Sequence, residues 1–324
     1  MAKLVFFNHY HRGDLLTHKE FVRQIKNELP DVKFEYLHFN HPKLTRDLDI
    51  PKVGDPGHLD AKTPFYQDDD VLYVNTWIGC HWDLFCEYGG INMNSLWHSW
   101  EKIVETVNAF FNVSISLKTE KEYYLPSIDF SRFDTKNINQ FLEKSGDRKR
   151  VLICNGAPKS GQSFNSNMKE FLEPLSEKFV DVNFICTEKF ETTIANIYFT
   201  DDVIGDTEIE EKRAPWEDRQ NNNCDLQEIS YLSENCDLIV GKNSGPFVFC
   251  ETKNNYMNPN KKFLSFNVSW GIGKSPTETM SNGLDFKADY KIVSITGVGG
   301  AAHTLSDQDV IDVTSALENA VGSL

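Results

Sequence analysis

The chain has 324 residues and carries 33 Lys+Arg against 48 Asp+Glu, a formal net charge of −15. That acidic surplus argues against a protein that tracks nucleic-acid phosphates, because such proteins need concentrated positive charge to displace counterions. With 40% apolar and 25% charged residues the composition is globular, and the apolar runs are strand-length, well short of the roughly 20 residues of a membrane span.

In chain order, Leu4–Phe7 is an apolar strand that opens into Asn-His-Tyr-His-Arg-Gly-Asp. Leu15, Phe21, Val22, Ile25 and Leu29 then recur on one helical stripe that Pro30 stops. Val32, Phe34 and Tyr36 alternate as a strand, so the opening is a strand–loop–helix–strand unit with parallel pairing and a right-handed crossover. Residues 41–70, rich in Pro, Gly and Asp, read as a long surface loop, and Asp68-Asp69-Asp70 as a solvated turn rather than a metal motif. Val71–Asn75 reads as a strand. Met93–Phe111 reads as a long helix on which Trp97, Trp100 and Val104 belong to the core.

Ser145–Arg150 is a polar hinge candidate, and after it the opening pattern recurs. Val151–Cys154 is a strand, 155–166 a Gly/Ser/Asn loop, Met168 to Leu175 a helix and Val182–Cys186 the next strand. Further on come a helix near Leu226–Glu234, strands near 237–241, 263–266 and 291–295, and a last helix over 307–320. Each half therefore begins as a doubly wound nucleotide-binding domain begins. The fold class expected is α/β, with two Rossmann-like domains facing a cleft. Seven cysteines without CxxC spacing, and an N-terminus lacking the apolar length of a secretory signal, point to a cytoplasmic chain without a disulfide framework or a zinc site.

The most informative stretch runs from Cys236 to Glu251. A strand enters Lys242-Asn243-Ser244-Gly245, and Pro246 suits the first turn of a helix. Free backbone N–H groups, a hydroxyl, a glycine and a lysine at the positive end of a helix suit a diphosphate. Glu251, about one and a half turns on, is placed to reach ribose hydroxyls. The plain alternative is a strand-to-helix turn capped by Asn243 or Ser244.

Asp237-Leu-Ile-Val-Gly-Lys-Asn-Ser-Gly-Pro246 resembles the "DLVIGNDSGP" stretch of the heptosyltransferase-like (GT9-type) glycosyltransferases. The Ser244-to-Glu251 spacing is also similar to the nucleotide-sugar loop of the N-acetylglucosaminyltransferase that makes lipid II. Arg12-Gly-Asp-Leu-Leu-Thr17, with its helix ending in Leu29-Pro30-Asp31, resembles the heptosyltransferase opening. The resemblance implies the GT-B arrangement: residues 1–145 as an acceptor domain, 150–305 as a nucleotide-sugar domain, and a C-terminal helix over 306–324 available to cross back. It implies Asp14 as the catalytic base, and Lys159 and Ser163 in a loop that touches donor phosphates. Asn243 and Val248 stand where the family has Asp and His, so the donor does not carry over.

The resulting expectation is a glycosyltransferase (EC 2.4) acting on a nucleoside-diphosphate sugar and a glycan or glycolipid acceptor. It would be inverting and metal-independent, with no cofactor beyond the co-substrate and no nucleic-acid partner. Lys242, Asn243, Ser244, Gly245, Glu251, Lys159, Ser163 and Glu188 would bind the donor. His11, Arg12, Trp77 and His81 would bind the acceptor, with His9 and His18 as weaker neighbours of Asp14. Competing readings are another GT-B-fold enzyme, such as a pyruvyl transferase or sugar epimerase, and a non-catalytic nucleotide-sugar binder.

Overall fold

A computed structural model describes residues 2–88, 90–156, 167–208, 224–242, 244–268, 284–295 and 305–324. The chain forms two compact units. One comprises Met1–Arg132, Glu208–Cys224 and Thr279–Asp285; the other comprises Phe133–Thr207, Asp225–Glu278 and Phe286–Leu324.

The first unit contains β1 (Lys3–Asn8), α1 (Arg12–Thr17), α2 (Lys19–Glu28), β2 (Lys33–His38), β3 (Lys52–Gly54), β4 (Phe65–Asp68), β5 (Val71–Asn75), α3 (Trp82–Glu87) and α4 (Met93–Phe111). Its sheet has the order β3-β2-β1-β5-β4, parallel except for β4, which runs against β5. β1 is central and buried on both faces, which is why it reads as an unbroken apolar run. On one face Phe6 meets Trp100 of α4, whose ring stacks on Phe21 at 5.0 Å; Phe21 in turn stacks on Tyr124 at 4.1 Å. On the other face Val5 and Phe7 pack with Leu37, Tyr66 and Tyr73. α4 starts at a reciprocal capping box between Asn92 and Ser95 and ends at Asn112 in the left-handed region, φ 54°.

The second unit contains α5 (Lys136–Ser145), β6 (Lys149–Cys154), α6 (Lys169–Lys178), β7 (Val182–Cys186), β8 (Ile197–Phe199), α7 (Thr200–Ile204), α8 (Leu226–Glu234), β9 (Leu238–Lys242), α9 (Gly245–Cys250), α10 (Lys253–Tyr256), β10 (Lys262–Val268), β11 (Asp289–Ile295) and a C-terminal helix Asp307–Gly322. Its six strands are ordered β11-β10-β9-β6-β7-β8, every described pair parallel. Both sheets are thus of the doubly wound kind, covered by helices.

Three features depart from the sequence expectation. The stretch 41–70 is structured: a 3-10 helix over Pro42–Leu48 buries Leu44 and Leu48, and β3 and β4 extend the sheet. A buried ion pair, Lys19 Nζ to Asp47 Oδ1 at 2.7 Å, ties that helix to α2. The acidic run Asp68–Asp70 forms the exposed turn between β4 and β5, as expected. The units part after Arg132 rather than at the 145–150 turn. α5 belongs to the second unit, where Asn137 donates to the Ile204 carbonyl at 2.9 Å and Tyr231 donates to Asn139 Oδ1 at 2.8 Å. The C-terminal helix stays with that unit too, because Val313, Leu317, Ala320 and Val321 complete its core beside Phe171 and Leu172 of α6.

Candidate functional site

In each sheet the chain winds outward on one side of the first strand and then returns on its other side. The first unit goes β1, β2, β3 and returns as β5; the second goes β6, β7, β8 and returns as β9. A parallel sheet opens a crevice outside its carboxyl ends at such a switch point, which is where ligands bind in these folds. Both segments singled out in the sequence lie at these two places.

At the first switch point, Asn8 and Asn75 end β1 and β5 with the same device. Each side-chain oxygen accepts a hydrogen bond at 2.9 Å from the backbone N–H two residues on, at Tyr10 and Trp77. These turns send the chain away from the sheet and leave a polar floor. Thr76 donates its backbone N–H to the Phe7 carbonyl at 2.8 Å, and its hydroxyl lies 2.7 Å from the Tyr36 phenol.

Asp14 sits in the first turn of α1, directly above the end of β1 in sequence, and is buried with Oδ2 left without a hydrogen-bond partner. Burial pushes its carboxyl from 3.8 up to about 8, against the opposing pull of a backbone hydrogen bond from His11. Tyr36 and Cys80 lie within electrostatic reach of it. His81 is buried, its Nε2 3.1 Å from the Asn75 carbonyl, and burial lowers its basicity. Trp77 lies over Gly79, where an added Cβ would strike the indole, and its ring sits 4.4 Å from that of Tyr10. His11 is exposed and Arg12 half-buried at the start of α1. Asp14, His11, Arg12, Trp77 and His81 therefore all sit at or beside the carboxyl end of one sheet.

One group there, in the sequence a weaker neighbour of Asp14, has its chemistry set by the fold. His18 is fully buried, and its Nδ1 accepts from Trp100 Nε1 at 2.6 Å while its Nε2 has no partner. Burial, with His81 nearby, lowers its pKa to about 3. Nothing local in the sequence announces this, because the partner indole lies on α4.

At the second switch point, Lys242 ends β9 with no solvent exposure, and desolvation lowers its pKa to about 8 against the opposing charges of Glu188 and Glu170. Ser244 is the N-cap residue of α9, yet its hydroxyl makes no capping bond and is buried without a partner. The glycines beside it differ in cause. A Cβ on Gly241 would come within 2.8 Å of Phe247 Cγ and 3.0 Å of Cys154 Cβ, so packing of α9 on the sheet demands glycine there. A Cβ on Gly245 would meet nothing within 4 Å; the interior of the unit imposes no glycine at that position.

Across from Lys242, Asn155 follows β6 and pins the chain after β7: its Oδ1 accepts from Glu188 N at 2.9 Å and its Nδ2 donates to Glu188 O at 3.0 Å. The Glu188 carboxylate lies against Gly156, 3.5 Å from where its Cβ would be. Glu251 is placed elsewhere. Its Oε1 accepts from Tyr290 OH at 3.1 Å, and Tyr290 is level with Phe263 and hence Ile239, three residues before Lys242 on β9. The short α9 carries the chain back along the sheet, and this carboxyl lies among tyrosines, with burial raising it to about 7. Asn243, Lys159 and Ser163 lie outside the described residues. Among the described residues no cluster of three or more His, Cys, Asp or Glu side chains could hold a metal ion, and no helix is long and apolar enough to cross a membrane.

No protein-family model and no curated protein matches the chain. Solved structures overlap it along nearly their whole length. The Escherichia coli ADP-heptose lps heptosyltransferase II is 12% identical, with 99% of this chain and 100% of that chain covered and a TM-score of 0.47. A glycosyl transferase family 9 protein from Veillonella parvula is 11% identical, with 98% of each chain covered and a TM-score of 0.43. The Escherichia coli heptosyltransferase WaaC with ADP-2-deoxy-2-fluoro heptose is 9% identical, with 98% and 100% covered and a TM-score of 0.42. With likeness this distant, the functional reading rests on the chain's own residues.

Proposed function

We propose that the protein is a glycosyltransferase that moves a sugar from a nucleoside-diphosphate sugar to a hydroxyl of a glycan or glycolipid. The observation that carries the proposal is a pair of buried ionisable groups at the two switch points: the carboxyl of Asp14, with an unpartnered oxygen, and the ammonium of Lys242. A fold does not bury such groups at the mouths of parallel sheets for stability, since each costs desolvation energy.

In this reading Lys242, the Ser244 hydroxyl and the open backbone at Gly245 hold the diphosphate, and Glu188 faces the nucleoside. Asp14 takes the proton of the acceptor hydroxyl as that oxygen attacks C1 of the sugar. The C1–O bond to the diphosphate breaks, and its electron pair leaves with the diphosphate, stabilised by Lys242. A base with a pKa of about 8 is matched to this work near neutral pH. Direct attack by the deprotonated acceptor inverts the configuration at C1. Lys242 supplies the neutralising charge, so transfer is expected to survive a chelator. Tyr10 and Trp77 offer ring faces on which a sugar can stack.

The test is a thermal-shift screen of nucleoside-diphosphate sugars, followed by calorimetry of the best binder on the wild type and on Lys242→Met. The proposal expects one nucleotide class to bind, with affinity at least tenfold weaker in Lys242→Met. A protein stabilised by no nucleotide sugar would refute it.

A further inference from the structure

Asp14 and His18 are one helical turn apart. His18 joins α1 to α2 in a right-handed helical conformation, φ −89° and ψ −4°, and its N–H donates to the Asp14 carbonyl at 3.1 Å. Residues spaced four apart share a helix face. Each presents a buried polar atom with no partner, Asp14 Oδ2 and His18 Nε2, so the two atoms do not bond each other. The Trp100 indole N–H occupies His18 Nδ1 at 2.6 Å. An indole N–H only donates, so Nδ1 must accept, and the ring proton resides on Nε2. One turn of helix thus offers a buried acceptor and a buried donor together. Tyr36 on β2, Cys80 and His81 after β5, and Trp100 on α4 are the polar or titratable neighbours of this pair. Of these, the Tyr36 phenol is already engaged with Thr76 and His81 with the Asn75 carbonyl.

We propose that His18 Nε2–H, locked as a donor by Trp100, grips an oxygen of the acceptor beside the hydroxyl that Asp14 deprotonates, so that the acceptor is a polyol, a sugar with neighbouring oxygens, rather than a lone alcohol. The inference rests on the sugar-transfer reading above and names its acceptor chemistry. His18 gives a hydrogen bond and transfers no proton. Trp100 acts through His18 and is a positioning residue. An unmatched donor and acceptor left dry inside a fold are satisfied together by vicinal oxygens, one with its hydrogen directed to Asp14 and the other with a lone pair directed to His18.

The experiment has two readouts. First, ¹⁵N-histidine NMR, with His18 assigned from His18→Gln, reports the tautomer between pH 5 and 8. A neutral Nε2–H ring throughout is expected in the wild type, and a neutral ring that populates both tautomers in Trp100→Phe. Second, transfer is measured with the donor selected by the screen and with methyl glycosides as acceptors. His18→Leu is expected to lose at least a hundredfold in kcat/KM, with KM for the acceptor raised and donor Kd by calorimetry unchanged. His18→Gln, whose amide still donates, is expected to recover at least tenfold of that loss. Full activity of a folded His18→Leu overturns the proposal while the sugar-transfer reading stands. If the wild type transfers with no donor, that reading fails, and an Nδ1–H or charged His18 at pH 7 overturns this proposal as well.

Discussion

Replacing Asp14 by Asn separates stability from activity in a way that only a buried, unpartnered carboxyl allows. The Asp14 pKa lies near 3.8 in the unfolded chain and at about 8 in the folded one. Its folded value is raised, so its contribution to stability is complete below the unfolded value and is lost as pH climbs towards 8. Each pH unit inside that window lowers folded-state stability by about 1.4 kcal/mol. Between pH 5 and pH 7 the wild type should therefore lose roughly 3 kcal/mol relative to Asp14→Asn, whose amide does not titrate. Urea unfolding of both proteins at half-unit steps from pH 4.5 to 8.5 reads this difference directly. The gap should widen steadily to about pH 8 and then level. Transfer activity of Asp14→Asn should fall at least a hundredfold near pH 8, and the deficit should shrink at acid pH, where the wild-type carboxyl is itself protonated. A gap that does not change with pH would show that Asp14 is not held as a dry carboxyl, and the base assignment would lose its physical footing.

The remaining expectations concern the second switch point and the pH profile. Gly241→Ala should destabilise by about 1–3 kcal/mol, because the Phe247 ring must move, whereas Gly245→Ala should leave the melting temperature nearly unchanged and weaken donor binding in calorimetry. Asn155→Ala should cost about 1–3 kcal/mol and lower donor affinity, since it unpairs the Glu188 backbone. Lys242→Met should stabilise the fold at pH 7 while weakening the donor. The folded lysine pKa is depressed, so its burial cost is fully present below about 8 and is relieved as pH rises from there towards 10.5. Wild-type kcat/KM should be bell-shaped with its maximum near pH 8, rising as Asp14 ionises and falling as Lys242 loses its proton, and EDTA should leave the rate unchanged.

What could be read from the residues alone follows from how they are buried. β1, β6, β7 and β9 announce themselves because both faces of a central parallel strand are dry, giving continuous apolar runs. β3 and β4 carry no such signal: Val53 is exposed, and Phe65 to Asp68 are at most half-buried at a sheet edge. α5 is missed for a related reason, since Ile138 is its one fully buried residue and no stripe forms. Its attachment by Asn137 and Asn139 to the second unit is polar and distant in sequence. Asp14 and Lys242 stand out because each lies where a strand gives way to a helix through a stretch rich in polar and glycine residues. Glu251 caps the end of α9, and its hydrogen bond from Tyr290 on β11 could not be read from its spacing. His18 is named by its place beside Asp14, but its chemistry stays hidden because an indole 82 residues away decides it.

The central claim is that Asp14 removes a proton from a sugar hydroxyl while Lys242 carries the departing diphosphate. Mass spectrometry of nucleotide and glycoside products, after incubating wild type, Asp14→Asn and Lys242→Met with a nucleotide-sugar panel and methyl glycosides, tests it most directly. The account expects the wild type to release nucleoside diphosphate together with an equal amount of disaccharide, and both variants to release little of either. Equal product from Asp14→Asn and wild type, or no product from the wild type with any donor, would contradict it.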